Sequence, residues 1–326
     1  MKIFIDTNIL LSFYHLSSDD LEELKKLAVL VRQGKAKLYL PEQVLDEFRR
    51  NRAGKIADAL KRLRDQQTSL QVPQLTKQYE EYGKLRAAHS TFSKRLSQII
   101  DKLEKDASLR TLDADSVIEE LISVAEVIPT STTNLNRARN RMDIGNPPGK
   151  KGSLGDAIIW EALLCKVRKG QDLFFISDDG DFYSPLDRDS FDPFLAQEWW
   201  DHRRSRIHPY NRMSAFFRDH FPNITLAAEM EKDILIDRLS ISGSFAETNS
   251  TIVSLSKYFD FTQDQVNRIV EAAVTNNQVY WIARDQRVHS FVSSIVVGRE
   301  ELIEPLNLRR VRYFLDEIRP YGAIPF

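Results

Sequence analysis

A chain of 326 residues, 42% hydrophobic and with a formal net charge of −1, has the make-up of a soluble globular protein long enough for two domains. No apolar run approaches a membrane span, which excludes an integral membrane protein built on helices. The lone Cys165 excludes an internal disulfide framework and suits a cytoplasmic setting, and an amino terminus that reaches an acid by Asp6 reads as carrying no secretion signal.

The chain opens on a short apolar strand, Ile3-Phe4-Ile5, that ends in Asp6-Thr7-Asn8 before an apolar helix start at Ile9-Leu10-Leu11. An acid at the carboxyl end of a strand sits at the sheet rim, where open α/β folds gather their chemistry. Leu21 to Arg32 reads as a helix, and Ala36 to Leu40 as a second strand that Pro41 closes. In the helix that follows, Val44 and Phe48 share an apolar face and Glu47 borders it. From Glu42 to Val127 glycine is rare, so two or three long helices are expected, with an insertion over about 49–127. Tyr79, Tyr82, Phe92, Leu96, Ile99, Ile100 and Leu103 would form its packing stripes.

Thr130 to Gly155, rich in Asn, Arg, Pro and Gly, reads as a loop that carries basic groups. Asp156 then opens a helix apolar almost all round, on which Cys165 is expected as a core residue. A third strand, Leu173 to Ile176, runs into Ser177-Asp178-Asp179-Gly180-Asp181-Phe182. Carboxylates packed this closely repel unless solvent or a cation offsets them. Residues 206–210 suggest a further strand, and Trp199 and Trp200 are expected to pack toward a second domain.

Taken singly, each acid has an ordinary explanation: a helix N-cap for Asp6, a solvated helix residue for Glu47, a favourable first-turn charge for Asp156. Together, Asp6, Glu47, Asp156 and Asp179 read as a divalent-metal site, whose oxygen ligands select Mg²⁺ or Mn²⁺. Positive charge lies beside them. From Arg49 to Lys105 there are fourteen Lys and Arg against six Asp and Glu, and Arg137, Arg139, Arg141, Lys150 and Lys151 surround only Asp143. That layout suits a phosphodiester substrate, although a solvated helical hairpin would explain the first cluster equally well.

In order along the chain, these places resemble the PIN-domain nucleases. Asp6-Thr7-Asn8 matches the family's opening Asp-Thr/Ser-Asn, and Pro41-Glu42-Gln43-Val44-Leu45-Asp46-Glu47 its Pro-x-x-Val-x-x-Glu. Asp156 matches the third acid, and Ser177 to Phe182 matches Thr-x-Asp-x-Asp-Phe with Ser replacing Thr. Asn146-Pro147-Pro148-Gly149-Lys150-Lys151-Gly152-Ser153-Leu154-Gly155-Asp156 resembles a bacterial PIN-like subgroup with a Pro-Pro-Gly basic loop. The resemblance implies an α/β fold, a three-layer α/β/α sandwich around a mainly parallel sheet. It implies metal ligation by Asp6, Asp156 and Asp179, with Glu47 as ligand or water-orienting base, Asp181 as an accessory ligand, and Asn8, Ser177 and Asp178 in support. Single-stranded or structured RNA is the first substrate expected and DNA the second, with a toxin or defence role. The rival is a non-catalytic nucleic-acid or protein-binding module on the same scaffold.

The nuclease-like domain is expected over 1–222. Residues 223–326 form a smaller, mainly helical domain that binds a partner or dimerises, with Gln263 to Asn276 an amphipathic helix and Val279 to Ile282 a strand or buried segment. Its alternation of helices and apolar runs suggests a helix-turn-helix or winged module. Gly145 to Lys151 imitates a phosphate loop but has the wrong glycine spacing, and a haloacid-dehalogenase-type site would need Asp where Asn8 stands. No histidine pair has metal-site spacing.

Overall fold

The structure, a computed structural model, describes residues 1–15, 19–66, 70–149, 153–222, 224 and 226–317. The chain divides into two compact units, Met1–Asn223 and Ile224–Phe326.

The first unit is built on five parallel strands, β1 Lys2–Ile5, β2 Lys37–Pro41, β3 Glu126–Ile128, β4 Leu173–Ile176 and β5 Ile207–Tyr210, in the order β3-β2-β1-β4-β5. The inner strands are near-continuous apolar runs because both sheet faces are covered; Ile3, Phe4 and Ile5 are fully buried. Strand order reverses at β1, with later strands added first on one side and then on the other. Such a reversal opens a crevice at the carboxyl ends of the strands.

The helices of this unit are α1 Thr7–Ser12, α2 Leu21–Arg32, α3 Glu42–Asp65, α4 Glu80–Leu109, α5 Asp113–Val124, α6 Thr132–Asp143, α7 Gly155–Lys166, α8 Pro193–Arg203 and α9 Met213–His220. Among them α2 packs with α5 and α9, while α7 packs with α3, α6, α8 and β2. This is an α/β/α sandwich with helical extras.

Several expectations are corrected. The helical insertion does not run to 127, because α5 packs on α2 and residues 126–128 form the edge strand β3. What projects is the hairpin of distal α3 and α4, which buries Ile56, Leu60, Leu96 and Ile100 but leaves Tyr79, Phe92 and Ile99 exposed. The segment read as a loop from Thr130 contains α6, capped by Ser131, whose Oγ accepts from Asn134 N at 3.1 Å. Leu135, Ala138 and Met142 form the stripe that seats α6 on Ala157 and Ile158. Cys165 is exposed rather than in the core. Trp199 is fully buried inside the first unit, 5.8 Å from Trp160 between ring centroids, with Nε1 donating to Ser205 Oγ.

The second unit consists of α10 Ala227–Ile241, α11 Phe245–Leu255, α12 Gln263–Thr275, α13 Asn277–Trp281, α14 Gln286–Val296 and α15 Pro305–Glu317. Amphipathic α12 touches α10, α13, α14 and α15, and its Val266, Ile269 and Val270 are fully buried at the centre of the core. The segment at 279–282, expected as a strand or buried run, is mostly the short helix α13, with Val279 buried and Tyr280 and Trp281 exposed. Among the described residues this unit has no strand, so a winged reading loses its wing.

One buried ion pair ties the first unit together near its sheet rim. Arg52 on α3 donates to both oxygens of Asp115 on α5, at 2.6 and 2.5 Å, and the Tyr14 hydroxyl donates to the same carboxylate at 2.5 Å. Asp115→Asn strands a buried guanidinium and should lower stability by roughly 3–5 kcal/mol. A denaturant or thermal unfolding series checks this; an unchanged midpoint contradicts it.

Candidate functional site

Each element ending at the carboxyl edge of the central strands delivers one polar group. β1 ends at Asp6, whose backbone N–H still donates to Ile176 O on β4 at 2.9 Å. Its side chain then caps α1, with Oδ1 accepting from Thr7 N at 2.7 Å. The other oxygen, Oδ2, accepts from Ser177 Oγ at 2.6 Å, and that hydroxyl in turn accepts from Asp179 N at 3.1 Å. One hydroxyl therefore joins the acid at the end of β1 to the turn after β4.

The next two residues of the turn reach in different directions. Thr7 Oγ1 donates to Glu47 Oε2 at 3.1 Å, and Asn8 Nδ2 approaches Asp179 Oδ2 at 3.5 Å. Glu47 Oε1 also accepts from Gln43 Nε2 at 2.7 Å, one helical turn earlier on α3. Asp179 caps the short turn Gly180–Phe182, accepting from Asp181 N at 2.9 Å. Asp156 stands in the first turn of α7, where the helix dipole favours an acid. Its neighbour Gly155 is pressed against Glu47: a Cβ there would meet Glu47 Oε1 at 2.1 Å and Gln43 Nε2 at 3.2 Å.

Asp6, Glu47, Asp156 and Asp179 are thus gathered around one turn. Electrostatics follow from the packing. Burial pushes the Asp6 carboxyl up, the Ser177 hydrogen bond opposes that shift, and the charges of Asp156 and Asp179 push it further, to about 7. Burial also raises Asp178, and Asp179 adds to the rise. The donor set is the hard-oxygen type that suits Mg²⁺ or Mn²⁺, and a cation would relieve the repulsion around Asp6. Among the described residues, however, no three His, Cys, Asp or Glu side chains close around a single point as an ion site does. The fit lies in donor type and charge.

A groove of about 1000 Å³ in the first unit is lined by Asp178, Gly180 and Asp181 together with Ser184, Arg188, Asn211 and Arg212. Arg188 and Arg212 are exposed and form no ion pair among the described residues. Two further acids on its wall are held as helix caps: Asp19 accepts from Met213 N and Ser214 N, and Asp192 from Phe194 N and Leu195 N. A second hollow shares Tyr183, Asn211 and Arg212 with this groove and adds Arg218. Sequence reading missed Arg188, Asn211 and Arg212, which carry no motif. It also passed over Thr7 and Gly155, although both stand inside quoted motifs.

The basic residues it did select fare differently. Arg141 is buried: its guanidinium donates to Glu161 Oε1 at 2.8 Å, to Glu198 Oε1 at 2.5 Å and to Pro147 O at 2.5 Å, while Trp160 Nε1 donates to Glu198 Oε2. It is consumed in fastening α6, α7 and α8 around the Pro147 loop and is corrected from phosphate ligand to structural clamp. Arg137 is exposed but donates to Cys165 Sγ at 3.0 Å; Arg139 is exposed. Lys150 and Lys151 lie outside the described residues.

Gly155→Ala should cost little stability, since the atom it displaces is the tip of a flexible side chain, yet it must swing the Glu47 carboxylate away. If Glu47 serves the chemistry, activity falls on the order of 100-fold, as misplacement by about 1 Å can cause. A normal melting point beside that loss is the expected pair of measurements; full activity would show that Glu47 need not stand where it does.

A second expectation concerns pH without metal. An aspartate titrates near 3.9 when unfolded. With a folded value of about 7, the native state holds the extra proton, so stability falls as pH rises from about 4 to about 7. Asp6→Asn removes that dependence. The variant should melt higher than wild type above pH 7 in chelator, with the gap closing toward pH 4; a gap independent of pH contradicts the burial argument.

Comparison with known proteins gives one finding. A family model described as PIN domain matches residues 3–182. No curated protein and no solved structure matches.

Proposed function

Because the chain belongs to the PIN-domain family, whose nuclease-type fold is usually metal-dependent, we propose that it is a divalent-metal-dependent nuclease acting on single-stranded or structured RNA, with DNA as the second substrate. The observation that carries this reading is the Asp6-Thr7-Asn8 turn. Three consecutive residues engage Ser177, Glu47 and Asp179, so acids from β1, α3 and the turn after β4 are held together where strand order reverses.

In this reading Asp6, Asp156 and Asp179 would hold Mg²⁺ or Mn²⁺, with Asp181 as accessory. When bound, such an ion supplies Lewis-acid polarisation and charge neutralisation at the phosphoryl group. The rest falls to side chains. Ser177 and the Thr7 N–H fix the Asp6 carboxylate in one orientation, and Asn8 steadies Asp179. Thr7 and Gln43 hold both oxygens of Glu47, which suits it to orient an attacking water. Arg188 and Arg212 offer guanidiniums, without an ion pair among the described residues, for backbone phosphates along the groove that Asp178 and Asp181 border. A cytoplasmic toxin or defence effector is the setting this activity suggests. No helix among the described residues is long and apolar enough to cross a membrane.

The non-catalytic reading keeps one observation on its side, the lack of a closed ion site among the described residues. Incubation of the purified chain with labelled RNA and DNA, in Mn²⁺ or Mg²⁺ and in chelator, decides between them. Cleavage is expected only with metal, and Asp6→Asn or Asp156→Asn should abolish it while the fold persists. A folded wild-type chain inert on every substrate, or both variants cutting at the wild-type rate, would overturn the assignment.

A further inference from the structure

The second unit carries a hollow of about 320 Å³ lined by Val274 of α12, Tyr280 of α13, and Arg309, Arg310, Tyr313 and Phe314 of α15. Its walls are aromatic and basic, and no carboxylate lines it among the described residues. Val311 is fully buried in the core, and Phe314, which also lines the hollow, is 1% exposed, while Arg309, Arg310 and Tyr313 lie outward within one helical turn. Neither guanidinium has an ion pair or hydrogen bond among the described residues. Arg312 adds a third exposed positive charge to the same helix.

The tyrosines are as available as the arginines. Tyr313 is 59% and Tyr280 41% exposed, and Tyr280 is steadied by an edge contact with Phe314, 6.3 Å between ring centroids. Flat rings beside exposed guanidiniums match the two recurring parts of a single strand, a base with a stacking face and a phosphate. An acidic peptide would answer the arginines, but only its aromatic members could use the rings, whereas every nucleotide carries both a phosphate and a stacking face. Residues 318–326 carry Arg319 and no acidic side chain, so charge does not favour that segment as the occupant.

We propose that this face of α15, with Tyr280, is a contact for single-stranded nucleic acid, in which Arg309 and Arg310 take backbone phosphates and Tyr313 and Tyr280 take bases. It is separate from the acids of the first unit and stands whether or not those acids cleave.

The test is fluorescence anisotropy of labelled single-stranded RNA and DNA with the full chain in chelator, where binding is read without cleavage. R309Q/R310Q should weaken binding at least about tenfold and reduce the slope of log affinity against log salt by roughly 0.7 for each phosphate left without its arginine. R309K/R310K should keep most of the slope. Tyr313→Ala should weaken binding about fivefold or more, and Tyr313→Phe should restore it, since the ring rather than the hydroxyl stacks. Equal affinity and salt slope for wild type and a folded R309Q/R310Q overturn the proposal, as does a wild-type chain that binds neither strand. A change of sedimentation on the same substitutions, with oligonucleotide binding unaltered, overturns it in favour of a protein interface.

Discussion

A carboxylate buried beside other carboxylates is the constraint around which the first unit is arranged. Asp6 is 3% exposed, and among the described residues two donors, the Ser177 hydroxyl and the Thr7 N–H, offset the loss of water. Thr7 N–H follows Asp6 in the chain, and the Ser177 hydroxyl is in reach because β1 and β4 are neighbours in register, Ile5 opposite Ile176, so each strand releases its next residue at the same height. The capping of α1 begins at Asp6, the tie to α3 runs through Thr7, and the turn after β4 is ordered through Ser177. A change at this one point therefore reaches three elements, and substitutions among these residues should not add as independent sites do.

The second constraint is the placement of positive charge, and here adjacency along the chain misleads. Arg141 lies among other basic residues in the sequence, but its carboxylate partners are 20 and 57 positions away, and they bury it. Arg188 sits in an acidic stretch, Asp187-Arg188-Asp189, and yet stands exposed on the groove. Charge counted along a segment reports what solvent sees only where the segment does not fold back on a partner.

Much of the sheet was legible because a parallel strand covered on both faces is an apolar run that stops at a polar residue; Ile3 to Ile5 and Leu173 to Ile176 are of this kind. The helix at Asp156 was legible because its sequence is apolar almost all round. β3 was not, since an edge strand of three residues beginning with Glu126 leaves no period to count. Nor was α6, whose Asn and Arg content suggests a loop; its stability comes from the stripe facing α7 and from the Ser131 cap, not from intrinsic propensity. Tyr280 and Trp281 read as strand formers, but flanking polar residues and the Asn276 cap turn them into a short helix. The candidate acids were read from strand ends and motif order, whereas the groups packed around them, Thr7, Gln43 and Gly155, became visible only when distant elements were brought together.

Gly155 and Glu47 occupy a single shared volume, and this makes the two positions one character rather than two. The longer acid keeps this pose only while the first residue of α7 has no side chain; shortening position 47 to Asp would draw the carboxylate back toward α3 and open room for a methyl group at 155. Chains that carry Glu at the first position should keep Gly at the second, and chains that carry Asp should be released from it. The start of α7 would then gain the backbone rigidity that Gly forgoes. The reach of one acid on α3 thereby sets how firmly a different helix begins.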